Sequence, residues 1–298
     1  MPTADQKSGA CKATFLLLVL TAERKNMNSF MSWVGGKKNL RDEVLARFPP
    51  YYERYIEVFG GAGWVLFHKP PGADFEVYND FNSNLTNLYR CVRDKPNRLK
   101  YKLRYVLDSR EDFDLTSSLH KRGILPRLYD VDRAAKFYQL IRYSYASGLD
   151  SFGSQPHSMW SDFPMIDLAA RRLQKVVIEN KDFEKLIRQY GRPVSFFYCD
   201  PPYFATENYY KDVGFTAKDH IRLRDALLDI KGRFLVSYND CPEIREIWHK
   251  PNIHIEEISR LNNLAQRYDG GCQYAELLIS NYDTSERAKA IKQLSLFD

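Results

Sequence analysis

The sequence predicts an α/β protein built on a mainly parallel sheet of about seven strands. After Trp33, short runs rich in β-branched and aromatic residues alternate with stretches of helical pattern, which is typical of parallel strands joined by helical crossovers. The chain has 298 residues, of which 44% are hydrophobic and 28% charged, so it is long enough for one large or two modest domains. This composition excludes a predominantly disordered protein.

Seven segments carry the strand pattern. In chain order they are residues 54–59, 75–78, 176–178, 195–199, 234–238, 253–258 and 275–279. Between the second and the third lies a stretch, residues 85–169, that is rich in Arg, Lys, Tyr and Leu and poor in strand pattern. We predict that it is mainly helical and inserted into the α/β domain. Its basic residues suit a solvated helix face as well as a surface that follows phosphates.

Residues 1–26 are expected to be a poorly ordered extension. Their apolar run, residues 15–20, is far shorter than the ~20 residues that span a bilayer, so we expect no membrane span. A signal peptide is the alternative, because Lys7 and Lys12 precede the run. The residues that follow, Glu23-Arg-Lys25, do not provide a small-residue cleavage site, which argues against export.

Charge and cysteine usage restrict the class of protein only weakly. The formal net charge of +6 permits a nucleic-acid partner but does not by itself indicate one. The five cysteines are far apart, with no Cys-x-x-Cys and no paired Cys/His spacing, so the sequence predicts neither a metal site nor a disulfide framework. A reducing, cytoplasmic location is therefore expected.

A glycine-rich turn follows the first predicted strand. The segment Val58-Phe-Gly-Gly-Ala-Gly63 lets the backbone bend sharply and approach a ligand, and such turns serve dinucleotides, adenosylmethionine or structure alone. Asp80 ends the next strand about twenty residues further on, where related folds bind ribose hydroxyls. The alternative for Asp80 is a helix N-cap, because a helical pattern begins near Asn84.

The most specific segment is Phe196-Phe-Tyr-Cys-Asp-Pro-Pro-Tyr203, a buried strand that stops at an acid followed by two prolines. The prolines cannot continue a central strand, and they hold their carbonyls in set directions. The Asp200 carboxylate and the Pro201 carbonyl offer two acceptors, and Tyr203 offers an aromatic face. Together they suit a planar base that carries an exocyclic amino group. Cys199 is expected to be a buried strand residue and not a nucleophile.

These segments resemble the Dam-like DNA adenine-N6 methyltransferases of the alpha class. The resemblance rests on Trp33-Val-Gly-Gly-Lys37, the glycine turn and Asp200-Pro-Pro-Tyr203, and it extends from about Met31 to Tyr282. It implies a Rossmann-like, adenosylmethionine-dependent methyltransferase sheet with an inserted target-recognition domain. We therefore expect a catalytic domain at residues 27–84 and 170–284, a target-recognition insertion at 85–169 and a C-terminal tail at 285–298.

The resemblance also implies roles for the matched residues. The implied catalytic residues are Asp200, Pro201, Pro202 and Tyr203. The implied adenosylmethionine-binding residues are Trp33, Lys37, Phe59, Gly60, Gly61, Ala62, Gly63, Asp80, Asp182, Phe183 and Asp200. Arg142-Tyr-Ser-Tyr145 resembles the family's Arg-Tyr-Gly-Tyr segment, so Arg142, Tyr143 and Tyr145 are expected to contact DNA. The rest of that region departs from the Dam pattern, so a GATC target is not implied.

The expected reaction is direct methyl transfer to a flipped adenine in double-stranded DNA. Hydrogen bonds from the amino group to Asp200 and to the Pro201 carbonyl favour the pyramidal nitrogen that frees its lone pair. The leaving thioether is neutral, so this mechanism requires neither a metal nor a covalent protein intermediate. Whether Asp200 takes the proton before or after transfer is left open.

The tail ends in Gln293-Leu-Ser-Leu-Phe297, which resembles the bacterial sliding-clamp-binding motif. In that motif Gln293, Leu294, Leu296 and Phe297 would enter a hydrophobic groove on the replicative clamp. Apolar anchors at a chain end gain nothing from exposure, so they suit a pocket. A chance match, or docking of the tail onto the protein's own core, is the alternative.

Three other functions compete with the adenine methyltransferase. An amino-cytosine methyltransferase would use the same cofactor and an equivalent acceptor platform. A catalytically inactive DNA-binding protein recruited to the clamp would keep the fold without the activity. A dinucleotide oxidoreductase would explain the glycine turn but not the Asp-Pro-Pro-Tyr segment.

Overall fold

The computed structural model describes residues 27–33, 35–153, 156–207, 214–261 and 273–289. Within these ranges it contains one mixed sheet of seven strands in the order β3-β2-β1-β4-β5-β7-β6. The strands are β1 (Arg54–Glu57), β2 (Phe75–Asn79), β3 (Val176–Glu179), β4 (Ser195–Cys199), β5 (Arg233–Asn239), β6 (His254–Leu261) and β7 (Gln273–Ser280). The predicted seven-stranded α/β fold is confirmed.

The sheet is parallel from β1 to β5 and antiparallel at one end. Strand β1 pairs in parallel with both β2 and β4, and β7 runs antiparallel to β5 and to β6. Strands β1 to β3 are added towards one edge of the sheet, and β4 and β5 towards the other. The order of the strands therefore reverses between β1 and β4. At such a switch point the loops that follow neighbouring strands separate and leave a crevice for a ligand.

Ten α-helices lie in the described ranges. They are α1 (Arg41–Ala46), α2 (Trp64–His68), α3 (Ser83–Asp94), α4 (Pro96–Leu103), α5 (Arg110–Lys121), α6 (Asp130–Tyr143), α7 (Phe163–Leu173), α8 (Phe183–Tyr190), α9 (Ala217–Leu228) and α10 (Pro242–Trp248). None of the helices in this part of the chain is long and apolar enough to cross a membrane.

Both faces of the sheet are buried, because successive strand residues point to opposite faces. In β1, Tyr55 packs into one apolar cluster and Ile56 into the other. In β4, Phe196 and Phe197 alternate in the same way, and all four side chains are fully buried. The central strands consequently read as nearly continuous apolar runs, which made them recognisable in the sequence.

The region between β2 and β3 contains helices α3 to α7 and is mainly helical, as its composition predicts. Its apolar side chains belong to the same cluster as one face of the sheet: Leu88, Tyr138 and Ile166 pack in the cluster that contains Tyr55. The inserted helices therefore cover the sheet and share its core. The target-recognition role of this region stays a prediction.

Candidate functional site

A cavity opens at the carboxyl ends of β1, β2 and β4, at the switch point of the sheet. It encloses about 1100 Å³ of empty space, counted out into the solvent at its mouth. Its lining includes most of the residues that the sequence singled out for a cofactor: Trp33, Lys37, Phe59, Gly60, Gly61, Ala62, Asp80, Asp182, Phe183 and Asp200.

The glycine turn forms the floor of the cavity between β1 and α2. A side chain at Gly60 would begin 2.2 Å from the ring of Tyr78, so only glycine fits there. Gly63 has φ 63°, a left-handed conformation that glycine adopts without strain, and it begins α2. The turn therefore requires glycine at these two positions for reasons of space and backbone conformation.

Asp80 joins the end of β2 to this turn. Its carboxylate accepts hydrogen bonds from the Gly61 amide at 3.0 Å and from the Asn82 amide at 2.8 Å. Burial raises the pKa of Asp80 to about 6, although the two amides oppose the rise. The N-cap of α3 is Asn82, which accepts from the amides of Asn84 and Leu85, so the N-cap alternative for Asp80 is wrong.

Asp182 and Phe183 lie on the opposite wall, where α8 begins. Asp182 caps α8 by accepting from the Glu184 amide at 3.1 Å, and its other oxygen lies 3.1 Å from the Arg222 guanidinium. Phe183 packs its ring 5.7 Å from that of Phe59 and 5.9 Å from that of Phe215. These three aromatic side chains give the cavity an apolar wall.

The Asp-Pro-Pro-Tyr segment follows β4 directly and lies beside the cavity mouth. The Lys37 ammonium is 2.6 Å from an Asp200 oxygen and donates to the Tyr203 hydroxyl at 2.5 Å. Tyr203 in turn donates to Glu276 at 2.7 Å. Burial and the carboxylates of Asp200 and Glu276 raise the pKa of Tyr203 well above its usual value, so the phenol stays protonated.

The chain after the tetrapeptide is fixed by β5. The Phe204 amide donates to the Asn239 side chain at 3.1 Å, and Asn239 donates back to the Phe204 carbonyl at 3.4 Å. Asn239 is the last residue of β5, beside β4 in the sheet. These two bonds hold the backbone that carries Tyr203.

Several site residues were not found from the sequence. Glu57 lies at the end of β1, is 2% exposed and accepts from the Tyr55 hydroxyl at 2.7 Å. Burial raises its pKa to about 8. Glu276, in β7, is 1% exposed. The signal in both cases is an acid inside an apolar strand, which the strand assignment alone does not interpret.

The predicted DNA-contact segment has mixed surroundings. Arg142 contacts Asp162 at 2.9 Å and the ring of His157, and Tyr143 is 3% exposed and donates to the His157 carbonyl. Tyr145 is 63% exposed. Two of the three side chains are therefore engaged inside the protein, and one faces solvent.

Among the described residues, no group of three or more His, Cys, Asp or Glu side chains is placed to hold a metal ion. Cys91, Cys199 and Cys241 are free thiols. Burial raises the pKa of Cys199 well above its usual value, which is consistent with a packed strand residue beside the site.

Comparison with known proteins agrees with this geometry. The family model of D12 class N6 adenine-specific DNA methyltransferases matches residues 33–263. Type II methyltransferase M1.LlaDCHI of Lactococcus lactis subsp. cremoris is 29% identical over 287 residues, which cover 89% of this chain and 99% of that protein. The DNA adenine methylases of Vibrio cholerae serotype O1 (strain O395) and Escherichia coli strain K12 are each 26% identical over 79% of this chain, and the matches cover 90% and 89% of those proteins.

The fold, the cavity at its switch point and the adjacent acceptor platform define a methyltransferase of the α/β class. The chain belongs to the D12 class N6 adenine-specific DNA methyltransferase family, so it is an adenine-specific DNA methyltransferase that requires a methyl donor. The family resemblance, the fold class and the activity predicted from the sequence are confirmed. The amino-cytosine and oxidoreductase alternatives are wrong.

Proposed function

We propose that the methyl donor is S-adenosyl-L-methionine and that the cavity holds it. The lining of the cavity with carboxylates and aromatic rings supports this. Asp80 would accept hydrogen bonds from the ribose hydroxyls, Phe183 would contact the adenine, and Trp33 would help to hold the donor. Glu57, buried at the end of β1, would face the cationic methionine part. Bound there, the donor supplies a methyl group on a positively charged sulfur.

Asp200 and its neighbours would receive the adenine. The Asp200 carboxylate and the Pro201 carbonyl would accept hydrogen bonds from the exocyclic amino group, and the Tyr203 ring would stack on the flipped base. Pro201 and Pro202 are buried, which keeps the acceptors in place. These residues orient the amino nitrogen, favour its pyramidal form and give its proton an acceptor, Asp200.

Double-stranded DNA would bind along the inserted helices. Several basic side chains there are paired within the protein, such as Lys100 with Asp167 and Lys95 with Asp130. Tyr145 is exposed and would contact the duplex directly, whereas Arg142 and Tyr143 would hold the segment that presents it. A DNA substrate places the enzyme in the cytoplasm, at the nucleoid.

The observation that carries this proposal is the Asp200 carboxylate at the mouth of the cavity, adjoining the glycine turn. The test is incubation with methyl-labelled S-adenosyl-L-methionine and unmethylated bacterial DNA, followed by digestion to nucleosides. Label in N6-methyladenosine that is lost in Asp200→Ala, while that variant still binds DNA, is the expected result. Label in no nucleoside, or near-normal turnover by the variant, contradicts it.

The C-terminal motif would dock on a bacterial replicative sliding clamp. The residues concerned, 293–298, lie outside the described residues, so the proposal rests on the sequence Gln293-Leu-Ser-Leu-Phe297 alone. Purified clamp should be retained by the full chain and not by a chain that lacks residues 293–298. The matched control is a chain in which only Ser295, between the anchors, is replaced by alanine. If neither the full chain nor the control retains the clamp, the clamp is not a partner of this protein.

A further inference from the structure

A buried chain of polar contacts extends from Asp200 to strand β7. We call Lys37, Asp200, Tyr203 and Glu276 the Lys37 group. Asp200 contacts Lys37, Lys37 contacts the Tyr203 hydroxyl, and Tyr203 contacts Glu276. Glu276 lies in β7 opposite Asn239 of β5, so this chain links the reaction site to the antiparallel part of the sheet.

Three charged side chains of this group are largely buried. The exposed fractions of the Lys37, Asp200 and Glu276 side chains are only 6%, 17% and 1%. Charges removed from water persist only when paired and hydrogen-bonded. Lys37 is the cation between the two acids, 2.6 Å from Asp200 and 3.8 Å from Glu276.

Lys37 contacts the same carboxylate that the adenine amino group needs. Under the proposed function, on which this inference rests, the incoming amino group must share or take the acceptor oxygen that Lys37 contacts. The ammonium then requires another anion, because an unpaired buried cation is costly. The Glu276 carboxylate lies 3.8 Å from the Lys37 ammonium and already accepts a hydrogen bond from the Tyr203 hydroxyl.

We infer that Glu276 is a positioning residue for methyl transfer, which holds Lys37 and Tyr203 in place when the adenine amino group engages Asp200. Its carboxylate receives the Lys37 ammonium and fixes the Tyr203 hydroxyl, and through it the ring on which the base stacks. Its negative charge also favours the positive charge that develops on the amino nitrogen. Glu276 acts through these neighbours and does not touch the substrate.

The test compares Glu276→Gln, which keeps shape and hydrogen bonding but removes the charge, with the wild type in single-turnover methylation. The expected result is a rate about 10- to 100-fold lower, with dissociation constants for S-adenosyl-L-methionine and DNA within about threefold. Glu276→Asp keeps the charge and should recover most of the rate. An unchanged rate in Glu276→Gln overturns the inference.

A double-mutant cycle tests whether Glu276 acts through Lys37. If it does, Glu276→Gln lowers the rate by a smaller factor in the Lys37→Met background than in the wild type, because the interaction with Lys37 is already lost and only the contact with Tyr203 remains. The same factor in both backgrounds overturns the inference.

The matched control is Glu76→Gln, another buried strand glutamate with a lysine partner, which should keep the wild-type rate per folded molecule. If Glu276→Gln does not fold, Glu276→Asp decides the question: a rate near that of the wild type with the same binding supports the role, and a rate at the Lys37→Met level overturns it. A wild type that forms no N6-methyladenosine contradicts the proposed function instead.

Discussion

Two buried lysines of this enzyme differ in the charged side chains that contact them. Lys69 contacts Glu76, which also receives a bidentate pair from Arg172 at 2.6 and 2.9 Å, so two cations contact one carboxylate; we call these three residues the Lys69 group. In the Lys37 group, one cation lies between two carboxylates. Lys37 and Asp200 line the cavity, and Lys69 and Glu76 are not among its lining residues.

The difference teaches how burial serves two purposes. Glu76 is fully satisfied by its cations, and a satisfied buried pair fixes one arrangement of the sheet and α7. In the Lys37 group the cation instead contacts Asp200, the acceptor that the proposed reaction uses, and lies near a second carboxylate. We therefore expect substitutions in the Lys37 group to lower the rate per folded molecule, and substitutions in the Lys69 group to lower stability while leaving that rate nearly unchanged.

The largest effect is expected at Asp200. Asp200→Asn keeps the shape and one acceptor oxygen but removes the charge, so the single-turnover rate should fall by about 1000-fold. The unfolding midpoint should stay within a few degrees of the wild type, since Asp200 is partly exposed and Lys37 keeps Glu276 as a second carboxylate nearby. Quenched-flow assays and thermal unfolding measure the two quantities, and a rate within about tenfold of the wild type would contradict the assigned role.

Glu76→Gln is expected to show the reverse pattern. Burial alone would raise the pKa of Glu76, but Lys69 and Arg172 lower it below its usual value, so the carboxylate is ionised in the fold. Removing it leaves two buried cations without their anion, which costs about 3 kcal/mol of unfolding free energy. Denaturant titration measures the loss. A rate per folded molecule that also fell would show that the two groups are not independent.

The pH dependence of the unfolding free energy tests the burial of Glu57 at the cavity. Its pKa is raised from 4.5 in the unfolded chain to about 8 in the fold, so the folded state binds the extra proton between these values. The unfolding free energy should therefore fall by on the order of 1 kcal/mol per pH unit as the pH rises from 6 to 8. Glu57→Gln should remove this slope, and an unchanged slope would place its cause elsewhere.

The smallest effects are expected in the DNA-contact segment. Arg142 and His157 both contact Asp162 inside the protein. Tyr145→Ala should weaken DNA binding by about 1 kcal/mol without changing stability, because stacking on a base is lost. Arg142→Ala should lower the unfolding midpoint more than it weakens DNA binding. Fluorescence anisotropy with labelled duplex measures DNA binding, and thermal unfolding measures the midpoint.

Local patterns in the sequence were sufficient for much of the fold. The seven strands were found because residues such as Phe196 and Phe197 alternate between two buried faces and form continuous apolar runs. The cofactor-type residue Asp80 was found because it directly follows a strand about twenty residues after the glycine turn, whereas Asp182 was implied only by the family resemblance. The antiparallel order of β6 and β7 was not predicted, since register and direction depend on partners that are distant in the chain.

The functional residues that sequence analysis missed depend on tertiary contacts. Glu276 gains its surroundings from Lys37 and Tyr203, which are distant in the chain. For the same reason the sequence did not show that Arg142 pairs with Asp162. The sequence identified which side chains carry the relevant chemical groups. Only the fold shows which of these side chains are paired inside the protein.

The most direct test of the difference between the two groups is a paired measurement on Lys37→Met and Lys69→Met. For each variant the single-turnover rate of adenine methylation and the unfolding free energy are measured under the same conditions. We predict a rate per folded molecule at least about 100-fold lower for Lys37→Met and within about threefold of the wild type for Lys69→Met, with a loss of stability in both variants, because each substitution removes a buried cation from its carboxylate partners. Equal losses of rate in both variants, or a native rate in Lys37→Met, would contradict the account.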